Sequence, residues 1–244
     1  MQLIVINSNS AGNAYALDSG NEILLLEAGC KMADVKRAID YRLQDVTGCL
    51  VSHVHGDHAK CATEYTKFGV KVYTCQDVID KKQFPYDSCK ALKAGKTYSI
   101  GSFRVVPIEL HHDVENFGYL IHHKSMGTLF FASDTYKFDF NITDIDHWLI
   151  EANYDDRILK ANVEDGKIDR HQANRLMLSH MSLDNTVHFL HECHAEKSRN
   201  IILCHLSERN SDPDMFRSRV AGEFGVPTYI AYKNVVVELN KDAL

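Results

Sequence analysis

Short runs of β-branched and aromatic residues, separated by Gly, Ser and Asn, recur along most of the chain. Runs of this length bounded by turn residues are typical of β-strands. The strands predicted up to residue 132 are 3–6, 15–17, 22–27, 49–52, 70–74, 96–100, 103–110, 117–122 and 128–132. Those predicted beyond it are 148–150, 201–204, 226–231 and 235–239.

Helical spacing of apolar residues appears between these runs. Met32, Val35 and Ile39 would share one side of a helix over 31–42. Further helices are predicted over 57–68, 183–196 and 212–224. Two sets of strands, each accompanied by helices, predict an α/β protein in which two sheets pack together with helices outside.

The composition is that of an ordinary globular protein, with 244 residues, 45% of them apolar and 25% charged. This length suits one large domain or two small ones, and no repeat or linker divides the chain. The net charge of −6 excludes a protein that simply coats nucleic acid, because such proteins carry a basic surface. Any binding of phosphate would need a local cationic site, such as a pair of divalent metals.

The seven cysteines are scattered, with no Cys-x-x-Cys spacing, which argues against a disulfide framework or a zinc ribbon. No apolar stretch reaches the ~18 residues of a membrane span, and the apolar start at Met1 is too short for a signal peptide. We therefore expect a soluble cytoplasmic protein with no membrane partner.

The chemistry is concentrated in the segment Ser52-His53-Val54-His55-Gly56-Asp57-His58. His53 and His55 lie two residues apart, so an extended backbone directs both side chains the same way. Asp57 and His58 would begin the next helix, where a carboxylate suits the helix dipole. Imidazole and carboxylate groups suit zinc, manganese or iron. A histidine-rich polar turn is the alternative, but crowded imidazoles without partners are unfavourable.

This segment resembles the H-x-H-x-D-H motif of the metallo-β-lactamase superfamily. The resemblance implies an αβ/βα four-layer sandwich of two mixed β-sheets flanked by helices. It implies a single domain over 1–244, and the chain lacks room for the cap domain that larger relatives insert. It also implies two divalent metal ions, zinc or manganese, with a ligand set completed by residues that follow later strands. The implied ligands are His53, His55 and His112 for one metal, Asp57, His58 and His205 for the second, and Asp134 as the bridge.

His111 competes with His112 as the third ligand of the first metal. We prefer His112, because the superfamily's motif is a His-Asp pair and Asp113 follows it. In this chemistry two metals lower the pKa of a shared water, so that hydroxide attacks phosphorus or a carbonyl carbon. Asp57 or Asp134 would orient the nucleophile and accept its proton.

Glu151 and His180 resemble positions where nucleic-acid-processing branches carry an acid and a phosphate-contacting histidine. His180 would bind a phosphate oxygen or protonate the leaving oxygen, and Glu151 would keep it charged. The alternative is that His180 only precedes a helix that Ser182 caps. The predicted helix also carries His188, His191 and His194, which lack the His-Glu-x-x-His spacing of a zinc protease and are expected on a solvated face.

Within the superfamily the chain looks most like the YycJ/WalJ branch, whose members are regarded as DNA exonucleases. The segments that carry this likeness are 8–13, 25–29, 112–119, 151–155 and 205–210. The first functional expectation is a phosphodiesterase or nuclease acting on nucleic acid, specifically a DNA exonuclease. The alternatives are a phosphodiesterase of cyclic or small nucleotides, a hydrolase of lactones, thioesters or β-lactams, and a metal-binding scaffold without turnover. A homodimer is the expected assembly.

Overall fold

Two seven-stranded sheets form the centre of the protein, whose computed structural model describes residues 1–240. The strands are, in chain order, β1 (Gln2–Asn7), β2 (Ala14–Asp18), β3 (Ile23–Leu26), β4 (Val46–Val51), β5 (Val72–Thr74), β6 (Cys89–Ala91), β7 (Tyr98–Ile100), β8 (Phe103–Leu110), β9 (Asn116–His123), β10 (Gly127–Ala132), β11 (His147–Glu151), β12 (Asn200–Cys204), β13 (Thr228–Ile230) and β14 (Val236–Glu238). The first sheet has the order β14-β1-β2-β3-β4-β5-β6, and the second has the order β13-β12-β11-β10-β9-β8-β7. In both sheets four neighbouring strands are parallel, β3 to β6 and β10 to β13, and the remaining pairs are antiparallel.

The helices lie outside the two sheets. They are, in chain order, α1 (Met32–Ala38), α2 (Gly56–Ala59), α3 (Ala62–Lys67), α4 (Gln76–Lys82), α5 (Asp156–Glu164), α6 (Arg170–Met177), α7 (Leu183–Glu192) and α8 (Pro213–Phe224). Helices α1, α3 and α4 contact strands of the first sheet, and α8 contacts β13 of the second. The result is two mixed sheets flanked by helices, which confirms the predicted α/β sandwich.

Strands in the middle of the second sheet bury side chains on both faces. Leu129 and Phe131 of β10 belong to a core shared by both sheets, whereas Phe130 belongs to a second core with residues of α7 and α8. Successive side chains of a strand point to opposite faces. A strand between two cores is therefore apolar throughout, which explains the unbroken apolar runs in the sequence.

Three predicted helices are longer than the helices in the structure. The helix predicted over 57–68 is divided into α2 and α3, because the intervening turn is bonded to the end of β3. Ala28 N–H donates to the carbonyl of His58 (2.7 Å), and Cys61 N–H donates to the carbonyl of Ala28 (2.9 Å). The helix predicted over 31–42 ends at Ala38, before Asp40 and Tyr41 take positive φ angles.

The helix predicted over 183–196 likewise ends early, at Glu192. His194 has a left-handed backbone (φ 57°), and a short 3₁₀ turn, Ala195–Lys197, follows it. Histidines 188, 191 and 194 are exposed, which confirms the solvated face predicted for them.

The sequence pattern missed β6, α4 and the adjoining helices α5 and α6. Both of the latter have aspartate caps. Asp155 accepts hydrogen bonds from the N–H groups of Arg157 and Ile158, and Asp169 accepts one from Gln172 N–H. Their apolar contacts form only a small cluster, which is why no long apolar stripe marked them. The single domain without an inserted cap stays a prediction, and its residues 241–244 lie outside the described part of the chain.

Candidate metal centre

The carboxyl ends of several strands meet at one edge of the sandwich, where parallel sheets commonly bind ligands. His53 follows β4, Asp134 follows β10 and His205 follows β12. Strand β8, which leads to His112, runs in the same direction as β10, because both are antiparallel to β9. The fold therefore gathers at one edge residues that are up to 152 positions apart in the chain.

Three residues at these strand ends have a left-handed backbone, which is unfavourable for residues other than glycine. They are Glu27 (φ 65°), Asp134 (φ 55°) and His205 (φ 54°). Neighbouring amides hold two of these turns: Asn116 Nδ2 donates to the Asp134 carbonyl (2.7 Å), and Asn153 Nδ2 donates to the His205 carbonyl (2.7 Å). Backbone strain of this kind is concentrated at functional sites, where the surrounding structure maintains it.

The first cluster contains His53, His55, His112 and Asp134. One donor atom from each of these residues lies within 4.8 Å of all the others. His112 Nε2 is 3.1 Å from His55 Nδ1, and His53 Nε2 is 3.8 Å from Asp134 Oδ2. His111 lies apart from the cluster: its side chain is 40% exposed, against 2% for His112, and pairs with Asp139. The geometry thus brings His112 into the cluster and leaves His111 out.

The second cluster contains Asp57, His58, Asp134 and His205, again with donor atoms within 4.8 Å of one another. His58 Nε2 is 3.2 Å from Asp134 Oδ1, and His205 Nε2 is 3.3 Å from Asp57 Oδ2. Asp134 belongs to both clusters, and also to a third group of donor atoms with Glu151, His180 and His205.

His53 provides a test of whether a cation fits. Its Nδ1 lies 2.8 Å from Ser52 Oγ, but its Nε2 is buried without a hydrogen-bond partner among residues 1–240. A buried nitrogen without a partner costs free energy. Burial, aided by the charge of His58, lowers the pKa of His53 well below its usual value, so the imidazole is neutral and offers a lone pair. A divalent cation would satisfy this nitrogen, and the imidazole–carboxylate donor set suits zinc or manganese.

The carboxylates of the site are held in their charged form. Burial tends to raise the pKa of Asp134, but His205 and His58 lower it well below its usual value. For His58 burial acts to lower the pKa, and the carboxylates of Asp134 and Glu27 outweigh it and raise the pKa well above its usual value. The centre therefore attracts positive charge, as a cation site must.

Glu151 connects the second cluster to His180. This wholly buried carboxylate places Oε1 2.7 Å from His180 Nδ1 and 2.8 Å from His205 Nδ1. The N–H groups of Thr135 and Met181 donate to its Oε2, each at 3.3 Å. A carboxylate behind a histidine fixes the orientation of the ring, so Glu151 positions both histidines.

The charge of Glu151 also changes the protonation of His180. Burial tends to lower the pKa of His180, but the adjacent carboxylate of Glu151 raises it above its usual value. The pKa of Glu151 is lowered in turn: burial opposes the shift, and the charge of His180 outweighs burial. Each group of the pair therefore favours the charged form of the other. Ser182 caps α7 through Asn185 N–H, which leaves His180 with contacts that a capping role would not require.

The clusters open into a cavity of about 380 Å³. Its lining residues are Ser10, His55, Asp57, His112, Asp113, Asp134, Asn153, Gln172, Arg175, Leu176, Ser179, His180, His205, Leu206, Ser207 and Glu208. Helix α6 contributes one wall, and its exposed Arg175 has no ion pair among the residues that the structure describes. Sequence reasoning missed Arg175 because it missed α6, although Asp169 carried the signal of a helix start.

Comparison of the sequence with profiles of protein families identifies the family of this chain. Residues 23–205 match the sequence profile described as the beta-lactamase superfamily domain. The chain belongs to the beta-lactamase superfamily. Members of this superfamily share the two-sheet sandwich observed here, and the resemblance inferred from the histidine motif is confirmed.

Two exodeoxyribonucleases are similar to this chain along most of its length. The chain is 25% identical over 224 residues to exodeoxyribonuclease WalJ of Streptococcus pneumoniae strain D39, covering 85% of this chain and 82% of the relative. It is 22% identical over 230 residues to exodeoxyribonuclease YycJ of Bacillus anthracis, covering 89% and 86%. Both matches run along most of the two chains.

Two solved structures share the fold of this chain. YhfI of Bacillus subtilis, a metallo-β-lactamase-fold protein, superimposes with a TM-score of 0.72 at 18% identity, covering 97% of this chain and 99% of YhfI. Zn²⁺-bound PqqB of Methylobacterium extorquens superimposes with a TM-score of 0.74 at 12% identity, covering 98% and 100%.

Superfamily membership and the two clusters together support a metal-dependent hydrolase, as predicted. Within residues 1–240, the helices are too short or too polar to cross a bilayer.

Proposed function

We propose that the chain is a dinuclear-metal-dependent phosphodiesterase that hydrolyses DNA from a strand end. His53, His55 and His112 would hold one divalent ion, Asp57, His58 and His205 would hold the other, and Asp134 would bridge them. The observation that carries this proposal is the Glu151–His180 pair, in which His180 lines the same cavity as members of both clusters and the buried Glu151 lies behind it. A protonated histidine there serves the two needs of phosphodiester hydrolysis, a partner for the anionic phosphate and a proton for the leaving oxygen.

When bound, two divalent ions supply a water that ionises at neutral pH and neutralise the charge of the phosphate. The chain's own carboxylates orient that water. Asp57 is 21% exposed, against 4% for Asp134, so it faces the cavity more openly. We assign to Asp57 the orientation of the nucleophilic water and the acceptance of its proton, and to Asp134 the bridging position.

His180 acts at the other end of the reaction. Its Nδ1 is engaged by Glu151, so Nε2 is the nitrogen that remains for the substrate. The alkoxide of a sugar is a poor leaving group, and a proton delivered in the transition state accelerates its departure. Because Glu151 raises the pKa of His180, the acid form persists to higher pH than it would in a histidine without that carboxylate. Glu151 is a positioning residue, since it acts through His180 and His205.

With two divalent ions bound, the charges lining the cavity would favour an anionic substrate, whose phosphates would contact the ions. Four carboxylates line the cavity, those of Asp57, Asp113, Asp134 and Glu208, together with one guanidinium, that of Arg175. Two divalent ions would reverse the sign of the centre. Arg175 would then contact the phosphate next to the one being cleaved, since guanidinium binds phosphate through two parallel hydrogen bonds.

The names of the relatives support DNA as the class of substrate. WalJ and YycJ are exodeoxyribonucleases, and this chain matches them along most of its length. A cavity of about 380 Å³ suits a terminal nucleotide better than a duplex. The same size keeps a phosphodiesterase of cyclic or small nucleotides as the second candidate.

The test uses protein loaded with manganese or with zinc. End-labelled single- and double-stranded DNA, RNA, cyclic nucleotides and a chromogenic β-lactam are each incubated with it, and the products are separated. We expect mononucleotides released stepwise from one end of DNA, and no product from Asp57→Ala. Consumption of the lactam with all nucleic acids and nucleotides intact would overturn the proposal.

A further inference from the structure

A second cavity, of about 360 Å³, lies beside the loop that connects β1 to β2. Three lysines line it, Lys31, Lys60 and Lys233, and all three are exposed; we call this feature the lysine cleft. Its one carboxylate, Asp34, already pairs with Arg37 at 2.5 Å. Among residues 1–240 none of the three ammonium groups is in a salt bridge with a carboxylate. The cleft is therefore a local concentration of positive charge on a chain of net charge −6.

The three lysines come from distant parts of the chain and converge on Cys30. Burial raises the pKa of the Cys30 thiol to about 11, and the charges of Lys60 and Lys233 oppose this rise. Lys31 adjoins Cys30 in the chain, at the start of α1. The three lysines are thus brought together by the fold and not by their positions in the sequence.

Only a thin wall separates the lysine cleft from the metal cavity. Ser10 lines the metal cavity, and its neighbour Ala11 lines the cleft. The same holds at α2, where Asp57 in the helix lines the metal cavity and Lys60, the residue directly after the helix, lines the cleft. Lys60 Nζ also donates to the Ala11 carbonyl, which ties the loop to α2.

Two glycines keep this wall thin. A Cβ on Gly29 would overlap the carbonyl of Asp57, and a Cβ on Gly12 would overlap the carbonyl of Gly29. The loop, the end of β3 and α2 therefore pack backbone against backbone. Asn13 N–H donates to the Asp57 carbonyl (2.7 Å), and Gly29 N–H donates to the Asn13 carbonyl (2.9 Å). The two cavities are therefore lined by consecutive residues of one closely packed loop, Ser10 and Ala11.

We propose that the lysine cleft binds backbone phosphates of the DNA strand whose terminal nucleotide occupies the metal cavity. The inference rests on the proposed function and adds a second contact to it. Because the whole chain repels polyanions, affinity for a strand must come from local cations. Ammonium groups bind phosphates as point charges and read no base, which suits an enzyme that shortens strands of any sequence.

The test compares two double variants of the metal-loaded protein. Lys31→Gln with Lys233→Gln removes two charges of the cleft and spares Lys60, which supports the loop. Lys93→Gln with Lys96→Gln is the matched control, because these exposed lysines line neither cavity. Binding of a fluorescent 20-nucleotide phosphorothioate strand, which resists hydrolysis, is measured by anisotropy over a range of salt concentrations.

Log K for DNA falls as log salt rises, and each phosphate contact on a single strand contributes about 0.7 to the steepness of that fall. The cleft variant, which lacks two such contacts, should therefore show a slope shallower by about 1.4. Its affinity at 0.1 M salt should fall on the order of 10- to 30-fold. With ordinary DNA and manganese, its kcat/KM for a 20-nucleotide strand should fall about tenfold relative to that for a dinucleotide. The control should match the unmodified chain in slope and in both rates.

The outcomes separate the two proposals. A slope and a rate ratio unchanged in the cleft variant would overturn the lysine cleft, even if DNA is hydrolysed. Salt-dependent binding that is lost in the cleft variant would support the cleft as a DNA site, even if ordinary DNA is not hydrolysed. In that second case the proposed function would fail and the binding site would stand.

Discussion

Replacement of His180 by alanine separates proton delivery from metal chemistry. His180 has one ring nitrogen 2.7 Å from Glu151 and lines the cavity beside both clusters. If it protonates the leaving oxygen, its loss should depend on how much help that oxygen needs. A deoxyribose oxygen needs a proton to depart, whereas p-nitrophenolate leaves without one.

For DNA we expect His180→Ala to lower kcat by about 10²- to 10⁴-fold, the usual contribution of a general acid. This corresponds to about 3–5 kcal/mol in the activation free energy. For bis(p-nitrophenyl) phosphate the fall should stay within about tenfold, because only a phosphate contact is lost. Both rates are measured with manganese-loaded protein at saturating substrate.

His188→Ala is the matched control, since His188 is exposed on α7 and lines no part of the metal cavity. It should leave both rates unchanged. The manganese content and thermal unfolding of His180→Ala are measured beside the rates. Equal losses on the two substrates, or no loss on DNA, would refute the role of His180 as an acid.

Three further variants test separate parts of the site and its support. Glu151→Gln should shift the alkaline limb of the DNA pH–rate profile to lower pH. The Glu151 carboxylate raises the pKa of His180, so without it the acid form of His180 is lost at a lower pH. An alkaline limb at the same pH would contradict this. Arg175→Gln should raise the KM for DNA about tenfold, or about 1.4 kcal/mol, with kcat nearly constant in initial-rate measurements; a fall confined to kcat would exclude a binding role. Ser182→Ala should lower the free energy of unfolding by about 1 kcal/mol, the usual contribution of a helix N-cap. Urea denaturation should show this as a lower midpoint with the same m-value. An unchanged midpoint would show that the side chain of Ser182 does not stabilise α7.

The parts of the site that follow apolar runs were predictable from the sequence. Asp134 and His205 each come directly after a buried strand, and the carboxyl ends of such strands share an edge. The spacing of His53 and His55 on extended backbone is likewise local information. Strand existence was therefore well predicted, although several strands are shorter than their apolar runs.

Long-range contacts account for what the sequence did not reveal. Nothing local indicates that Glu151 contacts both His180 and His205, because these contacts depend on how β11, β12 and the start of α7 pack. The division of the predicted helix over 57–68 comes from hydrogen bonds to Ala28, a residue 30 positions earlier than His58. Tertiary hydrogen bonds of this kind override local helix propensity.

Helix α6 illustrates a second limit. Its sequence, RHQANRLM, is mostly polar, and Ala173 is its one buried residue. With eight residues and few apolar positions, the helix offers too short a pattern to predict from the sequence, although Ala173 and Leu176 do pack on one side. Arg175 was missed for this reason, and the lysine cleft was missed because its members are spread from residue 31 to residue 233.

Anomalous diffraction from crystals soaked with zinc or manganese tests the central claim most directly. We expect two peaks at the edge where β4, β10 and β12 end, one contacted by His53, His55 and His112 and one by Asp57, His58 and His205. Asp134 should contact both. A single ion, or ions bound only elsewhere on the surface, would contradict the dinuclear centre on which the proposed hydrolysis depends.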